Sequence, residues 1–434
     1  MMLRLKNKVV TNASWIIICR VFQAVLNLII SMMTARYFGP ANYGLINYAA
    51  SVVAFFVPIM QLGLRSTLVQ EYIKNKEQEG TVLGTSTVMM MVSAILCMIG
   101  VTSFVMVAHG NEVETIIVCV LYSSILLFQS FEMIQYWYQA KLLSKYTSIV
   151  SLCAYTIISI YKIYLLASQK SIYWFAISNA LDYLLIACGL FVIYKKIASS
   201  RISFSLTLAK NMFSKSKYYI ISSMMVTVFG HIGSIALEFI SNKESVGFYA
   251  AAITCAGMTS FIFNAIIDSA RPVILSYRET NYEKFTRGME GLYAIIFYTS
   301  LIQSIGICCF APMIVKILYG VEYLEAVNPL RIIAWYTIFS YFGPVRNIWI
   351  LAQEKQKYLW ILNLSGAVLS IALNFLLIPF WGVSGAAVAA LLTQIFTNVI
   401  MSAIIAPLRE NNKLMFRGIN LFNIFKNINY FIKK

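Results

Sequence analysis

Between Tyr358 and Leu408 the chain carries no Asp, Glu, Lys or Arg over 51 residues. A helix that crosses the hydrocarbon core of a bilayer needs roughly 20 apolar residues. This one run is therefore long enough for two crossings, and Pro379-Phe-Trp-Gly-Val-Ser-Gly385 supplies a turn between them. Tyr37–Leu64 and Gly80–Ala108 are also free of charge. Hydrophobic residues make up 60% of the chain and charged residues only 12%, about half the charge of a soluble domain. These numbers exclude a soluble enzyme, a disordered chain and a disulfide-stapled secreted domain. They also exclude an outer-membrane barrel, whose strands alternate every second residue instead of running apolar. The expectation is an all-α polytopic membrane protein with twelve transmembrane helices.

The twelve expected spans are 10–35, 44–64, 82–108, 115–138, 148–167, 173–194, 218–238, 246–267, 291–315, 331–351, 359–379 and 384–406. The formal charge of +17 tests this map, because Lys and Arg collect in cytoplasmic loops. With the N-terminus inside, 26 of the 34 cations fall on the cytoplasmic side and only Arg36, Lys170 and Lys243 on the other. Both termini are then cytoplasmic, in a bacterial plasma membrane. Arg20, Lys162, Lys316, Arg331 and Arg346 remain within spans or at their ends. The excess charge thus reads as topology, and nucleic acid is not an expected partner. All eight Cys fall within spans, so no disulfide is expected. The first apolar stretch is long and holds Arg20 near its middle, which reads as a retained span and not a cleaved signal peptide.

The longest connection, 195–217, is basic, serine-rich and central. It divides the chain into an N-terminal six-helix lobe at 1–194, a cytoplasmic linker at 195–217, a C-terminal six-helix lobe at 218–408 and a basic tail at 409–434. An internal match supports this division. Trp137, Ala140, Lys145 and Tyr146 each precede an identical residue, Trp349, Ala352, Lys357 and Tyr358, by 212 positions. Repeated helical bundles are common in transporters, with the substrate site at the repeat interface.

Three segments carry a family pattern. Thr34-Ala-Arg-Tyr-Phe-Gly-Pro-Ala-Asn-Tyr-Gly-Leu-Ile-Asn-Tyr48 resembles the first loop and second span of polysaccharide-transport proteins. Trp137-Tyr-Gln-Ala-Lys141 resembles their fourth-span ending, and Gly382-Val-Ser-Gly-Ala-Ala-Val-Ala-Ala390 the start of their last span. With the twelve spans and the two halves, the chain resembles the Wzx-type O-antigen or capsule-repeat flippases of the multidrug/oligosaccharidyl-lipid/polysaccharide (MOP) exporter superfamily. The resemblance implies a V-shaped, MATE-like two-lobe fold. It also implies export of an undecaprenyl-diphosphate-linked oligosaccharide by alternating access, ion-coupled and without a cofactor. Membrane lipids, a polysaccharide polymerase and a chain-length regulator are the implied partners.

Ionisable groups inside a span are costly and tend to face a bundle interior or an aqueous cavity. Arg20, Gln23, Asn27, Ser31 and Thr34 recur at helical spacing on one face of the first span. Ser223, Thr227, His231, Ser234 and Glu238 do the same on the seventh. If the halves are pseudo-symmetric, both stripes line one cavity. A guanidinium fits phosphate oxygens with its fixed fork of donors, so Arg20 is the foremost diphosphate candidate. The bland alternative is pairing with a buried carboxylate such as Asp182. Arg65, Arg271 and Arg346 stand near cytoplasmic span ends, where a lipid-linked diphosphate would enter, but ordinary topological anchoring accounts for them equally well. Lys162 is balanced between drawing the anion outward and snorkelling to the interface. His231 is read as a cavity residue against the commoner packing role. Asp182, Glu132 and Glu238 are the candidates for ion coupling, with Asp182 farthest from either interface.

No G-x-x-x-x-G-K-[ST], H-E-x-x-H or G-x-S-x-G occurs, and there are only two His. Neither a phosphate-binding loop, a zinc site nor a serine nucleophile is therefore expected, and the chain is expected not to be an enzyme. A drug antiporter of the same superfamily and a membrane polymerase or ligase are the competing readings. Cations in the spans disfavour the first, and short outer loops the second.

Overall fold

A computed structural model describes the backbone of residues 2–198 and 200–420, and side chains at Cys19 and from Val21 onward except Lys76. Among the described residues there is no strand. Eight helices are long and apolar enough to cross a membrane, and a ninth span forms if one bent pair counts as a single crossing. The protein is an all-helical, multi-pass membrane protein. The chain falls into two compact units, Met1–Thr227 and Val228–Lys434. The division lies inside a continuous helix, beyond the expected linker.

In the first unit, α1 (Met2–Met60) covers the first two expected spans. It breaks at Gly39, whose φ of 71° and ψ of 176° leave the helical region. Glycine reaches that conformation without a Cβ clash, and Pro40 has no amide hydrogen to carry a helix through. The short α2 (Leu68–Lys74) follows, then α3 (Glu79–His109). The fourth expected span is not one α-helix. It comprises α4 (Val113–Gln129), a 3-10 stretch at Ser130–Met133 and α5 (Ile134–Ala140). α6 (Ser144–Ala167) and α7 (Ile172–Ile197) complete the bundle, with α1 packed on α3, α4 and α6 and α7 packed on α4 and α6. α8 (Leu206–Ile240) then carries the chain into the second unit.

The linker before α8 is held closely by the first unit. The Thr81 and Ser203 hydroxyls are 2.8 Å apart, and the Ser205 amide donates to Thr85 Oγ1 at 3.1 Å. A Cβ on Gly80 would lie 2.1 Å from the Arg201 carbonyl oxygen, and one on Gly84 2.3 Å from that of Ser203. Only glycine permits those approaches. Farther on, Ser216 Oγ donates to the Leu62 carbonyl at 2.7 Å, and Lys215 Nζ meets the buried Glu71 carboxylate at 2.8 Å.

The second unit contains α9 (Lys243–Gly257) and α10 (Ser260–Thr280), which meet at a 45° bend where one continuous span was expected. It continues with α11 (Tyr282–Leu318), α12 (Val327–Ala352) and α13 (Leu359–Ile395). α13 covers the eleventh expected span and the start of the twelfth, and it breaks at Gly382 with φ 51° and ψ −128°. A π-helical turn at Phe396–Ile400, the short α14 (Met401–Ile404) and the amphipathic α15 (Arg409–Ile419) follow. The core is aromatic: Phe263 and Tyr341 stack at 4.2 Å, and Trp349 is fully buried. α15 docks on α11, where Tyr293 Oη donates to Asn411 Oδ1 at 3.0 Å.

The 212-residue match is also present in the backbone. After Trp137, Leu142 takes a φ of 57°, and after Trp349, Glu354 takes 53°. The closing hydrogen bonds share one register. Lys141 and Gln353 donate to the tryptophan carbonyls, each at 3.0 Å, and Leu143 and Lys355 donate to Tyr138 and Ile350 at 2.8 and 2.9 Å. A left-handed residue that ends a helix and satisfies its last carbonyls thus recurs at the same place in each half.

Candidate functional site

Two cavities open within the first unit. The larger has a volume of about 730 Å³, within the size range of small-molecule sites. It lies at the end of the bundle that bears the Lys/Arg-rich connections. Its walls come from short helical faces. Ser144, Thr147, Ser148 and Ser151 follow i, i+3, i+4, i+7 along α6, and Glu132, Gln135, Tyr136 and Gln139 repeat that spacing across the 3-10 stretch and α5. Arg65 and Ser66 close the cavity from the turn before α2, Gln70 from α2 itself, and Cys19 and Gln23 from α1.

Charge in this cavity is sparse. Among the described residues, Arg65 and Glu132 are the charged ones of its wall. The Glu132 carboxylate accepts from Gln129 Nε2 at 3.3 Å and from Gln135 Nε2 at 3.2 Å, so neighbouring turns hold it in place. The remaining polar groups are neutral hydroxyls and amides, which bond sugar hydroxyls in either direction. A single exposed guanidinium among them can grip a phosphate oxygen pair. The arrangement is suited to a hydroxyl-rich ligand with one anionic end.

The smaller cavity has a volume of about 160 Å³ and lies between α1, α4, α6 and α7. Asn27, Lys162, Asn179 and Asp182 line it, with Tyr122, Tyr155 and Tyr183. Lys162 Nζ donates to Asn179 Oδ1 at 2.8 Å. Asp182 is buried, and its Oδ1 accepts no hydrogen bond among the described residues.

The candidates from the sequence therefore separate. Gln23, Arg65 and Glu132 meet at the larger cavity, and Asn27, Lys162 and Asp182 at the smaller. The polar stripe of the first span is shared between the two, one turn apart. The Arg20 side chain lies outside the described residues. In the second unit, Arg271 is exposed on α10 and pairs with Asp268 at 3.4 Å. Arg346 is only 5% exposed, and its Nη1 donates to the Thr397 carbonyl at 2.9 Å, inside the π-helical turn. That contact gives it a structural partner in the core. His231 and Glu238 are partly buried, two turns apart on α8. None of these four lines either of the two cavities. The hydroxyls of α6 and the glutamines of α5 are absent from the sequence candidates. Their i, i+3, i+4, i+7 spacing was the available signal.

Comparisons with known proteins identify a family and a fold. The sequence profile of the family described as "Polysaccharide biosynthesis protein" matches residues 9–278. The capsular polysaccharide biosynthesis protein CapF of Staphylococcus aureus is 23% identical over 399 residues, covering 89% of this chain and 96% of that protein. An uncharacterized membrane protein of Methanocaldococcus jannaschii is 26% identical over 247 residues, and the match spans about half of that relative's length, 48%. Among solved structures, the lipid II flippase MurJ in an inward closed conformation superposes with a TM-score of 0.67 at 14% identity, over 96% of this chain and 94% of that one. An inward-facing multidrug resistance MATE transporter of the MOP superfamily gives 0.66 at 13% identity, over 89% and 96%. At such identities the likeness establishes the fold. The chain belongs to the polysaccharide biosynthesis protein family and has the helical fold shared by MurJ and the MATE transporters.

Proposed function

We propose that this protein is a flippase that carries undecaprenyl-diphosphate-linked oligosaccharide repeat units of a surface polysaccharide from the cytoplasmic to the outer face of the bacterial plasma membrane. The larger cavity is the observation that carries this reading. It offers amides and hydroxyls for sugar and one guanidinium for phosphate, in a multi-pass protein of a polysaccharide family. The names of two similar proteins, a capsular polysaccharide biosynthesis protein and a lipid II flippase, support a cargo of this class.

In this reading both termini are cytoplasmic, and the Lys/Arg-rich loops face the compartment in which the lipid-linked sugar is made. Arg65 takes the diphosphate at the cytoplasmic mouth, with Gln23 and the α5 and α6 polar faces on the sugars. Arg20, on the same helix as Gln23, contributes a second cation to the path, and Arg271 lies at the corresponding span end of the second half. Alternating access moves the cargo, and Asp182 couples the movement to an ion.

Lipid-carrier analysis of a deletion strain tests the proposal. Undecaprenyl-linked repeat units are expected to accumulate on the cytoplasmic face. Normal surface polysaccharide in a strain without a redundant exporter refutes the reading.

A further inference from the structure

The smaller cavity poses a charge problem that its own wall can solve. Asp182 is 9% exposed, and its Oδ1 has no donor among the described residues. It lies ten residues into α7, roughly 15 Å along the helix axis. A carboxylate at that depth requires a counter-charge or a proton.

Lys162 provides the charge. It enters from α6 and shares the wall of this cavity with Asp182. Its ammonium already sits 2.8 Å from Asn179 Oδ1, one turn of α7 from the carboxylate. An ammonium has three donors, so two remain for the cavity after Asn179 takes one. Sodium and other hard cations seek oxygen ligands. Asn27, Asn179, Asp182 and three tyrosines place such oxygens around this space. The cavity, at about 160 Å³, holds a few waters but not a sugar chain.

We propose that the Lys162 ammonium is the resident cation of the Asp182 site. The wild-type site therefore takes no monovalent metal ion, and removing the ammonium turns it into one that does. The inference rests on the ion-coupled part of the reading above and leaves a proton, not a metal ion, to exchange at Asp182. Its test reads metal binding alone, so its failure and that of the flippase assignment remain distinguishable.

The full-length protein in lipid nanodiscs is compared with Lys162→Ala and with the double variant Lys162→Ala/Asp182→Asn. Radioactive sodium binding and the thermal midpoint in NaCl against equal choline chloride are measured. Wild type is expected to bind no sodium above background and to keep its midpoint. Lys162→Ala is expected to bind sodium at least tenfold above wild type, with a midpoint rise of about 3 °C at hundredfold excess over Kd. The double variant returns to the wild-type response. Equal sodium binding by wild type and Lys162→Ala, or none by Lys162→Ala, overturns the proposal. If Lys162→Ala does not fold, compensation of the two charges predicts that the double variant recovers a monodisperse protein. Failure to recover it overturns the proposal as well.

Discussion

Arg65 is the residue on which the proposed cargo contact turns. A charged hydrogen bond contributes about 1.5–3 kcal/mol, so Arg65→Ala is expected to weaken binding of the lipid-linked diphosphate by roughly tenfold to a hundredfold. Arg65→Lys keeps the charge but not the fork, and retains part of that affinity. Titration of the reconstituted protein with a diphosphate carrier lipid checks both. Arg346 is predicted to behave oppositely. Its removal leaves the Thr397 carbonyl without this donor, at a cost of about 1–3 kcal/mol. Arg346→Met should therefore lower the unfolding midpoint without changing affinity for the carrier. Charges stand out in an apolar sequence, so Arg65, Glu132, Lys162 and Asp182 were found by inspection. Their separation into two cavities was not legible, because it depends on which turn of α1 faces which neighbour. Nor were the neutral walls: serine and threonine in a membrane helix equally often bond their own backbone, as Thr147 does with Ser144 at 2.8 Å.

At the scale of elements, glycine decides where helices stop and where strands of linker can lie. The breaks at Gly39 and Gly382 fall between expected spans, and both could be read from Gly-Pro and Pro379-to-Gly385 turn signals. The 3-10 stretch in the fourth span and the bend between α9 and α10 could not, since neither holds a Gly-Pro pair and a single Glu132 or Gly257 does not by itself end a helix. Gly80 and Gly84 carried no visible message either, because their neighbours are carbonyls more than a hundred positions away. Adding a methyl group at Gly80 must displace the Arg201 backbone. Overpacking of this kind costs about 1–3 kcal/mol, so Gly80→Ala should raise the undocked fraction of the linker roughly tenfold. Limited tryptic cleavage after Arg201 is expected to accelerate accordingly, with unchanged cleavage at the α15 arginines as the internal control.

For the molecule as a whole, the all-helical class followed from the apolar runs, whereas the division into two units falls at Thr227 and Val228, inside α8 and beyond the central basic connection. The repeat was visible as four identical pairs, and the shared left-handed turn at Leu142 and Glu354 gives those pairs a structural meaning. They specify a helix ending, and a Gly at either position should be tolerated where a Val is not. The proposed orientation predicts that alkaline phosphatase fused after Lys170 is active in cells, and that fusions after Lys145 or Arg201 are inactive. The opposite pattern rejects cytoplasmic termini. Helix count was the least legible property at this scale, because one break can join two expected crossings in a single helix and a bend can divide another.

The pairing of Glu71 with Lys215 bears on how the protein is made. The two partners lie 144 residues apart in the chain, so at ribosomal speeds of about 5–20 residues per second the carboxylate waits roughly 7–30 s for its ammonium. During that interval Asn75 is its hydrogen-bonding neighbour, and the Leu62 carbonyl still lacks the Ser216 hydroxyl. The first bundle thus acquires this finished rim only after all of its own spans have been inserted, when the start of the next helix leaves the ribosome.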